Sequence, residues 1–244
     1  MTRRRWIADE VSGNHAALVG PHADHLIRVL RARVGQDFDI ATGAVVRRGR
    51  VTSLTNDRVE FELAEEISSS ELPQITLLLA IFKFDRMEWA IEKCTELGVS
   101  RIVPVIARRT DAHLATASAK RVERWQRIAR QASEQSRRAS PPEIAVPIKL
   151  SESLMFSEST RIVLAESEDQ ILLRDVLVSH LAGDARKDEQ FVLAIGPEGG
   201  WTEDELAAFQ RAGWISASLG NTILRAETAA IAATAVVASA LSAS

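Results

Sequence analysis

The 244-residue chain contains no tyrosine and a single cysteine, Cys94. The first absence removes the phenol from any acid–base scheme. The second excludes an intramolecular disulfide; with no Cys-x-x-Cys and no His/Cys cluster there is no zinc-like spacing, so no metal is expected. His15, His22, His25, His113 and His180 share no ligand spacing and read as surface or capping residues. No run reaches the roughly 18 apolar residues of a membrane span, and residues 1–10 are basic without the apolar stretch of a signal peptide. A soluble protein of a reducing, cytoplasmic compartment is the expectation. Positive charge is not in excess either: 30 Lys and Arg stand against 33 Asp and Glu, net −3. Taken whole, that balance argues against nucleic-acid binding by bulk charge. Neither GxGxxG nor GxxxxGK[ST] occurs, which disfavours a dinucleotide or a triphosphate.

What is present is 46% apolar residues, enough for a sizeable core in one or two domains. The charge, moreover, is segregated. Residues 1–58 carry ten basic and six acidic side chains, and 83–138 carry thirteen and seven, whereas 139–210 carry five and fourteen. The near-neutral sum therefore hides two basic blocks. The first holds Arg5, Arg28 and Arg31, the second Lys83, Arg86, Arg124 and Arg138.

Over residues 1–70 short β patterns (4–8, 37–41, 45–54, 58–64) alternate with turn signals such as Thr42-Gly43 and Asn56-Asp57, with one helix near 23–31. A small β-barrel is predicted, followed by a Ser- and Pro-containing linker at 65–73. From residue 74 to 244 the period changes. Strands at 75–82, 101–107, 161–165, 191–195 and 215–219 alternate with helices at 85–97, 117–138, 171–181, 202–212 and from 225, the pattern of a mostly parallel α/β sheet with helices on both faces. The last helix has small or apolar residues on every side, so burial all round is predicted, in the core or at a subunit interface.

Two turns could carry chemistry. Gly196-Pro197-Glu198-Gly199-Gly200 follows a buried strand and precedes Thr202 and Glu205, spaced as a capping box. Ligands of open α/β sheets sit at such carboxyl ends of strands. The second turn runs from Leu219-Gly220 to Thr228, with Arg225 and Glu227 in the first turn of an otherwise uncharged helix. Arg225 opposes the helix dipole there, which points to an external anion; an ion pair with Glu198 or Glu227 is the alternative. On helix 117–138, Lys120, Arg124, Arg127 and Arg138 fall in one arc, with Glu123 and Glu134 as the scarce acidic partners, so this stripe is predicted to face phosphate. Arg108 and Arg109 flank the same region.

These motifs together resemble the ribosomal RNA small subunit methyltransferase E family of the SPOUT superfamily. The likeness lies in Lys83-Phe84-Asp85-Arg86-Met87, Lys93-Cys94-Thr95-Glu96-Leu97-Gly98-Val99, Glu134-Gln135-Ser136-Arg137-Arg138, Ile195 through Gly200, and Leu219-Gly220 through Ile223-Leu224-Arg225-Ala226-Glu227-Thr228-Ala229. His25-Leu26-Ile27-Arg28-Val29-Leu30-Arg31, followed by Gly35, is similar to that family's PUA-like RNA-binding domain. The resemblance implies a trefoil-knotted sheet in a methyltransferase domain at 74–244, a PUA-like barrel at 1–70 and a homodimer. It implies methylation of N3 of a uridine in small-subunit ribosomal RNA, free or in the assembled subunit, with S-adenosylmethionine. It places Ile195, Gly196, Pro197, Glu198, Gly199, Gly200, Leu219, Gly220, Ile223, Leu224, Arg225 and Thr228 around the cofactor. Arg225 and Glu198 are the expected catalytic pair; Arg5, Arg28, Arg31, Lys83, Arg86, Arg124 and Arg138 are the expected RNA contacts. Asn221-Thr222 departs from the proline-arginine pair usual in the family. A noncatalytic RNA-binding or ribosome-assembly protein on this scaffold, or an α/β enzyme acting on a small molecule, are the alternatives.

Overall fold

The computed structural model describes residues 5–43, 45–67, 74–157, 160–181 and 190–242. Two units separate: Met1–Glu71 with Arg130–Pro141, and Leu72–Ala129 with Pro142–Ser244.

The first unit holds strands β1 (Arg5–Ile7), β2 (Glu10–Ser12), β3 (His15–Val19), β4 (Asp37–Ala41), β5 (Val46–Leu54) and β6 (Arg58–Ile67), with a short helix α1 (Pro21–Asp24) running into a π-helical turn at His25–Val29. The strand order is β1-β4-β5-β6-β3-β2, antiparallel except for β1 with β4. The two end strands of this order are consecutive in the chain. Ala8 N–H donates to Ala41 O and Asp9 N–H to Ala17 O, each at 2.9 Å. Five strand spacings would separate the ends of a flat sheet by roughly 24 Å, which two residues cannot bridge, so the sheet curls back on itself. Trp6, Leu18, Leu26, Ile40, Val51 and Phe61 fill the inside.

Residues 130–141 belong to this unit, whereas the sequence pattern assigns them to the second. Arg130 is the anchor: it lies 2.7 Å from the Asp9 carboxylate and donates to Ile7 O at 2.6 Å. Asp9 also accepts from the Val19 amide and His22 Nδ1, and these hydrogen bonds hold its pKa below the usual carboxylate value despite burial.

The second unit begins with β7 (Ile75–Ala80), α2 (Phe84–Glu96), β8 (Arg101–Ile106) and α3 (Ala112–Ser118). It continues through α4 (Val122–Gln135), whose residues from Arg130 on count with the first unit, then β9 (Glu143–Ile144), β10 (Ile148–Lys149), α5 (Leu150–Ser153), β11 (Thr160–Leu164), α6 (Leu173–His180), β12 (Phe191–Ile195), α7 (Glu203–Arg211), β13 (Ile215–Ala217) and α8 (Ala226–Ser242). Every pair in the sheet is parallel, in the order β10-β8-β7-β12-β11-β13, with β9 also beside β8.

Because side chains alternate across a sheet, one strand feeds two cores. Leu77, Leu79, Ile162, Leu193 and Ile195 join α2, α6 and α8 on one face. Leu78, Ala80, Val163, Val192 and Ala194 meet Trp201, Phe209 and Trp214 on the other. The sequence-predicted parallel α/β sheet is therefore found. The single helix expected at 117–138 is instead α3, a 3-10 turn at Ala119–Arg121, and α4 ending at Gln135. Within the single chain helix α8 buries one stripe, Ala226, Glu227, Ala230, Ala233, Thr234 and Val237, while Ile231, Val236 and Ala238 are half-buried.

Candidate active site

Strands β11, β12 and β13 are neighbours and parallel, so the loops leaving them open at one edge of the sheet. Those loops line a cavity of about 390 Å³, whose walls are residues 164–169, 195–201 and 218–224 with Arg109, Leu206, Ala226 and Ala229. That volume lies within the range of small-molecule and cofactor sites.

The middle wall is the Gly-rich turn. At Gly196 an added Cβ would stand 3.3 Å from Trp201 Nε1, and Gly200 takes φ +69°, so a side chain is disfavoured at both. The predicted capping box forms: Glu205 N–H donates to Thr202 Oγ1, and Thr202 N–H donates to Glu205 Oε2 at 2.8 Å. Arg109, entering after β8, donates through Nη1 to Gly199 O at 2.5 Å and to Trp201 O at 3.3 Å. The Trp201 ring packs edge-on to Phe209, and its Nε1 is buried with no hydrogen-bond acceptor among the described residues.

Of the residues expected around a cofactor, Ile195, Gly196, Pro197, Glu198, Gly199, Gly200, Leu219, Gly220, Ile223 and Leu224 line this cavity. Arg225 and Thr228 do not; both lie outside its lining. The loop after β11 carries no motif that marks it in the sequence. It brings Glu166, Glu168 and Asp169 to the cavity, and Glu168 is committed to the amides of Gln170 and Ile171. Arg109, a flanking base in the sequence, is the one cation lining the cavity among the described residues.

The alternative ion pair of Arg225 with Glu198 or Glu227 is absent among the described residues. Both carboxylates face Arg86 instead: Arg86 Nη1 lies 3.1 Å from Glu198 Oε1 and 3.7 Å from Glu227 Oε1. Arg225 has no side-chain partner among the described residues.

The basic stripe differs from its sequence reading in two ways. Arg124 is exposed but doubly bonded to Glu88 of α2, at 2.6 and 2.7 Å, so its acidic partner comes from another helix. Arg138 is 6% exposed, and burial lowers its pKa; α4 has ended and Arg137 takes φ +63°, so the helical period no longer applies to it. Arg28, Arg31 and Lys83 are exposed, Arg28 beside Asp24; Arg5 is partly buried and donates to the Arg137 carbonyl. Cys94 is fully buried, as expected, and receives a hydrogen bond from Thr234.

Comparison with known proteins bears on the same region. Residues 69–238 match the family model described as RNA methyltransferase domain. The chain is 36% identical over 212 residues to ribosomal RNA small subunit methyltransferase E of Synechocystis, covering 84% of this chain and 66% of that one. It is 28% identical to the Bacillus subtilis protein of the same name, covering 87% and 85%. The Neisseria gonorrhoeae ribosomal RNA small subunit methyltransferase E, solved bound to S-adenosyl methionine, superposes with a TM-score of 0.81 at 32% identity over 96% of both chains. A Legionella pneumophila protein solved with bound SAM gives 0.84 at 27% identity over 98% of both. With the family model, the whole-length match and the strand-end cavity in agreement, the chain belongs to the ribosomal RNA small subunit methyltransferase E family.

Proposed function

We propose that this chain transfers a methyl group from S-adenosylmethionine to N3 of a uridine in small-subunit ribosomal RNA. The observation that carries the reading is the cavity at the ends of β11, β12 and β13, in a chain that superposes over 96% of its length on a relative solved with S-adenosyl methionine. The residues present fit that cofactor. Trp201 Nε1 is a buried donor with no acceptor among the described residues, and Gly220, at φ +124°, lines the cavity with no atom within 4 Å of where a Cβ would stand. Glu166 and Asp169 offer carboxylates suited to sugar hydroxyls or an ammonium group. When bound, the cofactor supplies an electrophilic methyl group on a sulfonium centre.

The chain's own residues must then activate the acceptor. N3 of uridine carries a proton, and losing it spreads negative charge over the two flanking carbonyl oxygens. Arg225, without a side-chain partner among the described residues and adjoining the cavity-lining Leu224 and Ala226, stabilises that charge. Glu198 lines the cavity with Oε1 held by Arg86, and its Oε2 accepts the N3 proton. The rest is positioning of acceptor against donor.

RNA contact falls to Arg31 and Lys83, which are exposed, and to Arg28, whose surface pair with Asp24 a phosphate displaces at a cost of at most about 1 kcal/mol. Arg5 and Arg124 have protein partners already, and buried Arg138 has a structural part. The curled first sheet is read as a PUA-like RNA-binding module, and the second unit as a knotted SPOUT domain. The half-buried apolar side of α8 supports a homodimer, and a cytoplasmic site of action accords with the ribosomal substrate.

The test is incubation with labelled cofactor and undermethylated small subunits, followed by mapping of the modified nucleotide. One N3-methyluridine in the small-subunit RNA is expected. Label on another atom, or none above a heat-inactivated control, overturns the assignment.

A further inference from the structure

Three charged groups from three separate elements meet beside the cavity: Arg86 in the first turn of α2, Glu198 in the Gly-rich turn after β12, and Glu227 in the first turn of α8. Glu227 is 4% exposed, and its Oε2 has no hydrogen-bond partner among the described residues. Such a buried carboxylate is costly unless a cation stands by it, and Arg86 Nη1 at 3.7 Å is the one ion-pair partner it has among the described residues. The same nitrogen bonds Glu198 Oε1 at 3.1 Å. Two residues before Glu227 in the chain stands Arg225, a second guanidinium with no side-chain partner among the described residues. Both carboxylates are thus matched to Arg86 among the described residues, and neither to the neighbouring Arg225.

We infer that Arg86 is a positioning residue for methyl transfer: by holding Glu198 and Glu227 it keeps both carboxylates off Arg225, which stays available to the uracil oxygens. The inference rests on the methyltransferase reading and on Arg225 as the group that meets the nucleobase. Without Arg86, both carboxylates lose their shared cation, and Arg225, two positions before Glu227 and without a side-chain partner among the described residues, is open to them. An ion pair there consumes the charge that the developing uracil anion needs. The effect is on the chemical step, because Arg86 does not line the cofactor cavity.

Glu227 supplies the discriminating signature. In the parent, Glu227 anchors Arg86, so Glu227→Gln loosens Arg86 and Glu198 and lowers kcat. In an Arg86→Gln background, Glu227 is an unneutralised competitor for Arg225, so the same substitution raises kcat. The sign of one mutation reverses with the identity of residue 86, which simple additivity of independent sites forbids.

The experiment compares the parent, Arg86→Gln, Arg86→Lys, Glu227→Gln and the double variant Arg86→Gln/Glu227→Gln. It uses steady-state kinetics on undermethylated small subunits and calorimetry with S-adenosylmethionine alone. Arg86→Gln is expected to lower kcat by about 100-fold while cofactor Kd stays within about threefold. Arg86→Lys restores part of the loss, Glu227→Gln lowers kcat by about tenfold, and the double variant exceeds Arg86→Gln by about tenfold. Equal losses in kcat and cofactor affinity, or a double variant no better than Arg86→Gln, overturn the inference. If Arg86→Gln does not fold, Arg86→Lys and Glu227→Gln decide: unchanged kcat in both rejects it. A parent that binds the cofactor but methylates nothing rejects instead the functional reading on which the inference rests.

Discussion

The main-chain N–H of Arg108 donates to Glu205 Oε1 at 2.7 Å, while Oε2 of the same carboxylate accepts the Thr202 amide at 2.8 Å and its hydroxyl at 3.0 Å. One side chain, 7% exposed, therefore ties the loop after β8 to the start of α7, directly beyond the Gly-rich turn. Glu205→Ala strands two amides and a hydroxyl, and the expected loss is about 2–4 kcal/mol in denaturant unfolding. Glu205→Gln keeps one acceptor oxygen and loses about half as much. A loss below about 1 kcal/mol for the alanine variant contradicts this role.

Arg109 clamps the Gly199 and Trp201 carbonyls. Such a contact is made equally in ground and transition states, so Arg109→Ala should raise KM for the cofactor about tenfold and leave kcat within about twofold. Calorimetric Kd should follow KM; a fall in kcat with unchanged Kd would place Arg109 in the chemical step instead.

Arg225→Ala should lower kcat by about 10²–10³-fold, the range for loss of one charge-stabilising group, with cofactor affinity and thermal midpoint near those of the parent. Activity within a few-fold of the parent removes Arg225 from the mechanism.

Much of this site could be read from the chain alone, for reasons that differ by element. Residues 75–80 and 191–195 are apolar nearly throughout because both faces of their strands are covered, and that signal needs no partner to be visible. The cap at Thr202 and Glu205 is a local motif and forms as spaced. Glu10–Ser12 is exposed at all three positions and β9 and β10 have two residues each, so no hydrophobic period marks them. Glu166 and Asp169 reach the cavity because β11 lies beside β12, a fact of strand order that leaves no trace in local sequence. The Arg124–Glu88 and Arg86–Glu198 pairs are equally nonlocal, spanning 36 and 112 positions. Helical period fails at Arg138 because the helix has already stopped at Gln135.

The arginines expected at RNA therefore separate by burial. Arg31→Glu or Lys83→Glu should weaken binding to small-subunit RNA and reduce the salt slope by about 1 for each phosphate no longer neutralised, with stability unchanged. Arg138→Glu should instead lower stability, because its side chain is buried and reversal of its charge is not relieved by solvent. Filter binding across a salt series beside thermal melts distinguishes the two; a shallower slope for a fully stable Arg138→Glu protein contradicts the division.

Burial pushes the Cys94 thiol up from 9.0 to about 12. A folded-state pKa above the unfolded one favours the protonated form, so its contribution to stability is complete below about pH 9 and declines as pH rises toward 12. The stability difference between parent and Cys94→Ala should accordingly shrink from about pH 8 to about pH 10.5. The native thiol should also resist alkylation at about pH 8 and react once unfolded. Rapid native alkylation contradicts both.

The lengths of the strands have a consequence for the protein in a crowded solution. In the first unit the ends of the sheet order are β1 and β2, three residues each, and they are consecutive in the chain; in the second the outermost strands are β13 with three residues, and β9 and β10 with two. The long strands β5, β6 and β7 all lie inside their ladders, hydrogen-bonded on both sides. Open backbone donors and acceptors thus come in runs too short to template a foreign strand, and the described part of the chain offers little foothold for edge-to-edge aggregation.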